Sequence, residues 1–454
     1  MKLSRISSIR LIPLSFLAAM LIGSLLLTLP ISSAEGVWTN YVTALFTATT
    51  SVCVTGLTVV DTFAYWSTFG HVIILILIQI GGFGIITVIS LIMLLTQRKV
   101  TLGDRKILQD ALNLDTEAGI MHILVRIFRG TISVELLGAV FYSIEFIPKF
   151  GPIKGAWYSL FTAISAFCNA GIDILGPDSL MSYSSDPLIL IVTMTLIVLG
   201  GLGYVVWFDL THVIRQGVIR RFTPSQIFKR FSEHTKLVLS LTLGLILAGW
   251  VIFFLTEYNN PATMQGMSLG DKLLNSLFES VTLRTAGFAS FSQKGLTDIS
   301  CVFAYIIMFI GGSPIGTAGG IKTVTFFLAM MGIITYIRDE DVNVVFNRRV
   351  SDESMRKASV IVYVSLFSVI LFTLLLNATN DVSLQDALFE VISGLATVGL
   401  TRDLTGALNL AGKVIIIVCM YLGRIGPISM AIFFAGKNKN KSKINYIEGK
   451  FFVG

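Results

Sequence analysis

Apolar runs recur along this chain at a spacing that repeats four times. Runs over residues 11–29, 72–95, 188–208 and 414–435 hold almost no charge. Each is about 20 residues or longer, the length a helix needs to cross the hydrocarbon core. Shorter apolar stretches of about ten residues, too short to span, stand among them. Each quarter of the chain therefore predicts an outer helix, a short re-entrant helix, an extended loop and an inner helix. The expected outer helices cover 11–29, 120–147, 237–255 and 359–376, and the short ones 41–50, 157–165, 272–281 and 384–393. The inner helices are expected at 71–95, 188–208, 302–337 and 413–435. The repeats divide the chain at 1–97, 98–215, 216–340 and 341–454. Residues 4–10, the first apolar run and Ser33-Ala34 after it have the layout of a signal peptide. That run exceeds the usual 7–15-residue core of such peptides, so a retained first span is expected.

One short design marks each repeat: Leu-Phe, then Gly nine or ten positions after the Phe. The pairs are Leu45-Phe46, Leu160-Phe161, Leu277-Phe278 and Leu388-Phe389. The glycines are Gly56, Gly171, Gly287 and Gly399, 115, 116 and 112 residues apart. A second set, Gly81, Gly200, Gly311 and Gly423, keeps nearly the same period at 119, 111 and 112. Fourfold repetition of a glycine-dependent loop is what a four-sided pore requires when one chain supplies every side.

Composition narrows the class. The chain is 54% hydrophobic and 13% charged with a mean hydropathy of +0.79, whereas about a quarter of a soluble domain is charged. The net charge of +7 is distributed by topology and is no signal for nucleic acid. Segments 1–10, 97–129, 211–236, 338–357 and 437–454 hold 25 of the 34 basic residues. By the positive-inside rule these five, and both termini, are expected in the cytoplasm. The alternate connections carry Glu35, Asp61, Asp173, Asp178, Asp186, Asp298, Asp381 and Asp403, an acidic outer face that concentrates cations modestly. All four repeats then start and end on one side. Their topology is parallel, unlike the inverted repeats of many secondary transporters. Cys53, Cys168, Cys301 and Cys419 form no disulfide framework, and the four histidines share no ligand spacing.

The resulting fold class is an all-α polytopic membrane protein, four parallel helix–pore-loop–helix repeats around one central pore with fourfold pseudosymmetry. A dehydrated alkali cation needs a ring of oxygen dipoles in place of its water. Loops that aim backbone carbonyls at an axis need glycine at unusual backbone angles. The negative C-terminal end of each short helix adds to the attraction. The expected ion-binding residues are Cys53, Val54, Thr55 and Gly56; Cys168, Asn169, Ala170 and Gly171; Arg284, Thr285, Ala286 and Gly287; and Ala396, Thr397, Val398 and Gly399. Each loop has one obligatory glycine where the TVGYG of tetrameric potassium channels has two. Fewer ordered ion sites and a modest preference for potassium over sodium follow. Arg284 shares the register of Cys53, Cys168 and Ala396. Two readings stand for it: a side chain turned outward to pair with Glu279 or Glu390, or one partly exposed above the filter.

The third inner segment, 302–337, is 36 residues long and cannot be one straight span. It contains Gly311, Gly312, Ser313, Pro314, Ile315, Gly316, Thr317, Ala318, Gly319, Gly320, Ile321 and Lys322. Five glycines and a proline break a helix, and irregular backbone at membrane depth survives only beside protein or water. A mobile loop below the filter reads as a gate. Gly319-Gly320-Ile321-Lys322-Thr323 lacks the spacing of a phosphate-binding loop. Gly82-Phe83-Gly84 and Gly201-Leu202-Gly203 read as packing or bending glycines. Arg424 follows Gly423 where the other repeats have Gly82, Gly201 and Gly312. An ionisable group inside a span is a functional candidate, and Arg424 either stabilises the closed loop or pairs with a structural neighbour.

These residues resemble the Trk/Ktr/HKT superfamily of potassium transporters, most closely a bacterial Ktr-type membrane subunit, over essentially the whole chain. The resemblance rests on Val54-Thr55-Gly56-Leu57, on 165–171, on Arg284-Thr285-Ala286-Gly287-Phe288 and on Thr397-Val398-Gly399-Leu400-Thr401. It extends to Ile78-Gln79-Ile80-Gly81-Gly82, Gly319-Gly320-Ile321-Lys322-Thr323 and Gly423-Arg424-Ile425-Gly426-Pro427. It implies potassium uptake across the bacterial plasma membrane, no enzymatic activity, a homodimer with one pore per subunit, and a gate loop in the third repeat. It also implies stimulation by sodium and regulation by a separate cytoplasmic ring of RCK nucleotide-binding domains, with nucleotides on that partner only. Pro314-Ile315-Gly316 departs from the small residues usual in the family's gate loop. The rival reading is a sodium- or proton-coupled symporter with alternating access.

Overall fold

A computed structural model describes residues 8–84 and 120–426. The basic segment 437–454, most of 97–129, Pro427 and the inner-helix ends expected at 95 and 435 lie outside the described residues.

Side-chain caps start most of the helices. Asn40, Ser67, Asp186, Ser232, Ser268, Thr297, Ser351, Ser383 and Asn409 each accept from a backbone N–H of the first turn, replacing the carbonyl that a helix start lacks. The outer helices are Ser8–Thr28, Ile120–Phe150, Glu233–Glu257 and Asp352–Thr379. The short helices are Tyr41–Cys53, Pro152–Cys168, Leu269–Thr282 and Leu384–Leu395. The inner helices are Thr68–Phe83, Pro187–Gly201, Asp298–Phe309 and Leu410–Ile425, and the third resumes at Thr323–Ile337. A two-residue hairpin, Val344–Val345 against Arg348–Arg349, links it to the fourth outer helix.

The inner helices depart from the sequence pattern. The apolar run 188–208, expected as one helix, breaks at Gly203 and resumes as Tyr204–Arg220 after turning by 101°. Gly84 (φ 78°, ψ 133°), Gly203 (φ 89°, ψ 143°) and Gly426 (φ 91°, ψ 136°) end the first, second and fourth inner helices in one conformation. Side chains rarely allow that conformation. Hydropathy measures burial and carries no information about direction, so an apolar run reads the same straight or bent. Two described helices, Glu233–Glu257 and Asp352–Thr379, are long and apolar enough to cross a membrane alone, and the bent pair makes a third. The other described apolar helices are shorter, and Ile120–Phe150 carries five charged residues.

Packing runs around a cycle. Each short helix lies against its own outer helix, and the inner helices of repeats one, two, three and four pack on the short helices of repeats two, three, four and one. Burial is inverted relative to a soluble domain. Ile22, Leu25, Val140, Ile144, Leu247, Val251, Phe367 and Ile370 of the outer helices are exposed, while Thr49, Thr50, Ser165, Glu279, Thr282, Glu390 and Ser393 are fully buried. An apolar sheath around a polar centre suits hydrocarbon surroundings and a hydrogen-bonded interior.

Buried Glu257 ties the end of the helix Glu233–Glu257 to the start of Asp298–Phe309. Its carboxylate accepts from the Thr297 N–H (3.0 Å) and hydroxyl (2.8 Å), Asn260 Nδ2 (2.6 Å) and Thr263 (2.7 Å). Glu257→Ala orphans these donors and is expected to cost on the order of 3 kcal/mol. Thermal unfolding of the detergent-solubilised protein checks this: the alanine variant should melt several degrees lower, with Glu257→Gln between it and the parent.

Candidate functional site

Three of the four short helices end alike. The Val54 N–H donates to Ser51 O (3.2 Å) and the Thr55 N–H to Thr50 O (2.8 Å). Asn169 and Ala170 repeat the pair on Ala166 and Ser165, and Thr397 and Val398 repeat it on Gly394 and Ser393, at the same 3.2 and 2.8 Å. This double bond pattern closes a helix around a left-handed residue, ordinarily glycine. Here that residue is Val54 (φ 56°), Asn169 (φ 59°) or Thr397 (φ 52°). The third loop has one residue fewer between Phe278 and Gly287. Its bonds shift to Arg284 N–Val281 O (3.1 Å) and Ala286 N–Thr282 O (2.9 Å), yet Thr285 is again left-handed (φ 69°). A left-handed residue thus stands two before the glycine in all four loops. At a β-branched residue this costs about 1–3 kcal/mol and persists only when its surroundings impose it.

A hydroxyl behind each loop supplies part of that imposition. Thr50 accepts from the Gly56 N–H (2.9 Å), Ser165 from Ile172 (3.1 Å) and Ser393 from Gly399 (3.1 Å), while Thr282 donates to Phe288 O (2.7 Å). All four lie four residues after the phenylalanine of Leu-Phe. The recurring Ser/Thr at that offset is a signal that the sequence analysis passed over.

The four glycines meet. A Cβ on Gly56 would lie 2.6 Å from Ala170 O, one on Gly171 2.5 Å from Ala286 O, and one on Gly287 2.5 Å from Val398 O. A Cβ on Gly399 would collide with Thr55 O, which closes the cycle. The sixteen expected ion-binding residues are brought together and all are buried. The Cys168 side chain is turned away from this meeting point: its Sγ lies 3.6 Å from Gln79 Oε1 and 3.8 Å from Glu135 Oε1.

Arg284 is also turned away, into a small space bordered by Ile197, Gly201, Thr242 and Gly312. It forms no ion pair with Glu279 or Glu390, which corrects the expected pairing. Those acids face other partners: Gln293 donates to Glu279 (3.1 Å), and Thr401 (2.7 Å) and Thr405 donate to Glu390. The shortened third loop moves Arg284 relative to the helix that carries Glu279.

On one side of the glycines a cavity of about 180 Å³ is bordered by all four of them and by Asp61, Asp173, Asp178 and Asp403. Burial lifts the Asp173 carboxyl to about 6 against the pull of the Leu175 N–H and the Ser179 hydroxyl, and Asp61 adds to the rise. On the other side a cavity of about 420 Å³ is lined by the loop 316–322, Ile392, Leu395, Gly423 and Arg424.

The loop 310–322 is docked by hydrogen bonds. It is pinched at its base, where the Gly311 N–H donates to Ile321 O (2.9 Å) and Thr323 to Gly312 O (3.0 Å). The break in the second inner helix leaves carbonyls and an N–H without helical partners, and the loop satisfies them. Ser313 N–H donates to Gly201 O (3.0 Å), Thr317 N–H to Gly200 O (3.1 Å), and Tyr204 N–H to Ile315 O (3.1 Å). A Cβ on Gly203 would stand 2.4 Å from Pro314 O, too close for any side chain, and Gly316 packs on Gly200 and Gly201. Gly319 and Gly320 lie under Thr397 and Ala396. Lys322 Nζ folds back onto Ala318 O (2.6 Å). Arg424 donates to Thr317 O (2.6 Å) and to Gly81 O (2.5 Å), joining the loop to the first inner helix.

Comparison with known proteins places this geometry in context. Residues 12–443 match the family model TrkH, described as cation transport protein. The Ktr system potassium uptake protein B of Bacillus subtilis is 40% identical over 441 residues, 97% of this chain and 95% of that protein. The potassium/sodium uptake protein NtpJ of Enterococcus hirae is 35% identical over 446 residues, 97% of this chain and 96% of that protein. The crystal structure of the potassium transporter TrkH from Vibrio parahaemolyticus shares the fold with a TM-score of 0.69 at 16% identity, over 92% of this chain and 84% of that one.

Thr50→Val keeps the shape of the side chain and leaves the buried Gly56 N–H unpaired. The expected loss is about 1–3 kcal/mol, seen as a lower melting temperature than that of Thr49→Val, whose hydroxyl bonds only its own helix at Leu45 O.

Proposed function

The chain belongs to the TrkH family of cation transport proteins, and from that premise we propose that it carries potassium into a bacterial cell through a selectivity filter made of its four glycine loops. It is a multi-pass membrane transporter and not an enzyme. The observation that carries the reading is the closed cycle of contacts at Gly56, Gly171, Gly287 and Gly399. Loops packed to that distance bring their carbonyl oxygens around one short path, and such a ring can replace the water of an alkali cation. The acidic cavity is then the outer mouth, which raises the local cation concentration, and the larger cavity lies on the cytoplasmic side. On this reading the repeats form a fourfold pseudosymmetric pore with both termini in the cytoplasm. An alternating-access symporter needs two halves that rock about the site, and the cyclic packing of inner on short helices favours a pore.

The loop 310–322 is the gate in this proposal, and Arg424 is its latch. The docked loop stands between the cytoplasmic-side cavity and the filter, and a guanidinium there repels cations while holding Thr317 O. A homodimer and a separate cytoplasmic ring of RCK domains belong to the same proposal, with nucleotides bound by the ring. The Ktr system name of one relative is in keeping with several components. Stimulation by sodium is proposed likewise, alongside a relative named for potassium and sodium uptake.

Potassium and sodium flux into vesicles holding the purified protein tests the filter. Gly399 has φ +98° and no room for a Cβ, so Gly399→Ser is expected to lower the potassium-to-sodium flux ratio about tenfold, equivalent to ~1.4 kcal/mol. An unchanged rate and ratio would remove the filter assignment. In the same vesicles Arg424→Gln should raise potassium flux by roughly tenfold, since it removes charge-assisted bonds of ~1.5–3 kcal/mol each. Unchanged or reduced flux with normal expression would count against the latch.

A further inference from the structure

Thr317 is the one residue of the loop whose every polar group is engaged across repeats. Its N–H reaches Gly200 O at 3.1 Å, its carbonyl receives Arg424 at 2.6 Å, and its hydroxyl is shared between Phe167 O at 3.1 Å and Asn169 Oδ1 at 3.3 Å. Phe167 and Asn169 flank Cys168, and Asn169 is the left-handed residue of the second glycine loop. Other hydroxyls nearby make no such link: Ser313 Oγ and Thr323 Oγ1 are buried without a partner. The loop touches the fourth glycine loop too, at Thr397 and Ala396, but only by close packing of Gly319 and Gly320.

The geometry leaves Asn169 dependent on this contact. Asn169 and Thr317 are each 1% exposed. Asn169 Nδ2 has no partner, so the Thr317 hydroxyl is the one hydrogen bond that its carboxamide makes. A left-handed residue costs free energy to hold in place, and here part of what holds it belongs to a different repeat. Gly200 is required for the approach, because a Cβ there would stand 2.8 Å from Thr317 Oγ1 and 3.0 Å from Asn169 Oδ1.

We propose that the Thr317 hydroxyl is a positioning group for ion selection: it fixes the Phe167–Asn169 segment of the second loop, so that discrimination between potassium and sodium depends on the loop 310–322 being docked. The proposal rests on the filter and gate reading given above. Loss of the hydroxyl frees the Asn169 side chain and the Phe167 carbonyl. The second loop then relaxes, and the ring tolerates the smaller cation better. Displacement of the loop during opening has the same effect, which makes selectivity a function of the gating state.

The test measures potassium and sodium flux ratios of the full-length protein in vesicles, for the parent, Thr317→Val, Thr317→Ser and Gly399→Ser. Thr317→Val keeps the branched shape and loses the bond, so the ratio should fall about fivefold, the scale of one hydrogen bond, while Thr317→Ser stays within about twofold of the parent. A Thr317→Val ratio equal to the parent's, with Gly399→Ser shifted, overturns the inference and leaves the filter reading standing. A serine variant that behaves like valine overturns it as well, because the hydroxyl is then not the cause. An unshifted Gly399→Ser removes the filter reading and the inference with it. Should Thr317→Val not assemble, Asn169→Ala removes the same hydrogen bond from the other side and must lower the ratio by a similar factor.

Discussion

At Gly56, Gly171, Gly287 and Gly399 the backbone of one loop lies against the carbonyl of another, with no space for a side chain between them. Carbonyl dipoles gathered at one place repel each other, and the interior has little water to soften that repulsion. The rest of the molecule is arranged to oppose it. Short helices end in locked left-handed caps, hydroxyls of Thr50, Ser165, Thr282 and Ser393 fasten the loops from behind, and inner helices brace the short helices of the next repeat. The glycines are thus not the caps of the helices, where glycine is usual. That position is given to valine, asparagine and threonine, and glycine is kept for the place where only bare backbone fits.

The second constraint is the accounting of backbone hydrogen bonds. A helix broken in the middle of an apolar region exposes carbonyls and N–H groups that lipid cannot satisfy. The break between Pro187–Gly201 and Tyr204–Arg220 is satisfied by Ser313, Ile315 and Thr317. The bend in repeat two and the irregular loop in repeat three are therefore halves of one structure. Each would be unstable without the other, and Arg424 adds a third point of attachment through Thr317.

Much of this was legible in the sequence. The short helices, the four glycines and the interruption at 310–322 follow from apolar run lengths and from residues that backbone sterics single out. The bend at Gly203 was legible only as one of two readings of Gly201-Leu202-Gly203, packing or bending, because Leu188 to Phe208 is apolar throughout and hydropathy has no direction. The hydroxyl four residues after each phenylalanine was visible but unread, since Ser and Thr are common in any helix near a turn. The pairing expected for Arg284 failed for a steric reason. One residue fewer before Gly287 turns the guanidinium toward Thr242 and Gly201, away from Glu279, and a residue count does not reveal which way a side chain swings.

A ring contributed by one polypeptide also has a genetic consequence. In a channel of four identical subunits, a codon change appears on every side at once, and a substitution tolerable on one side must be tolerable on all. Here each side is encoded separately, so deletion of a residue before Gly287 or the arrival of an arginine at position 284 alters a single quadrant. Such lesions can accumulate and be repaired by neighbours one at a time. Divergence among the four loops is then the ordinary outcome of mutation acting on separately encoded walls, and within the loops the four glycines mark a position that every wall holds alike.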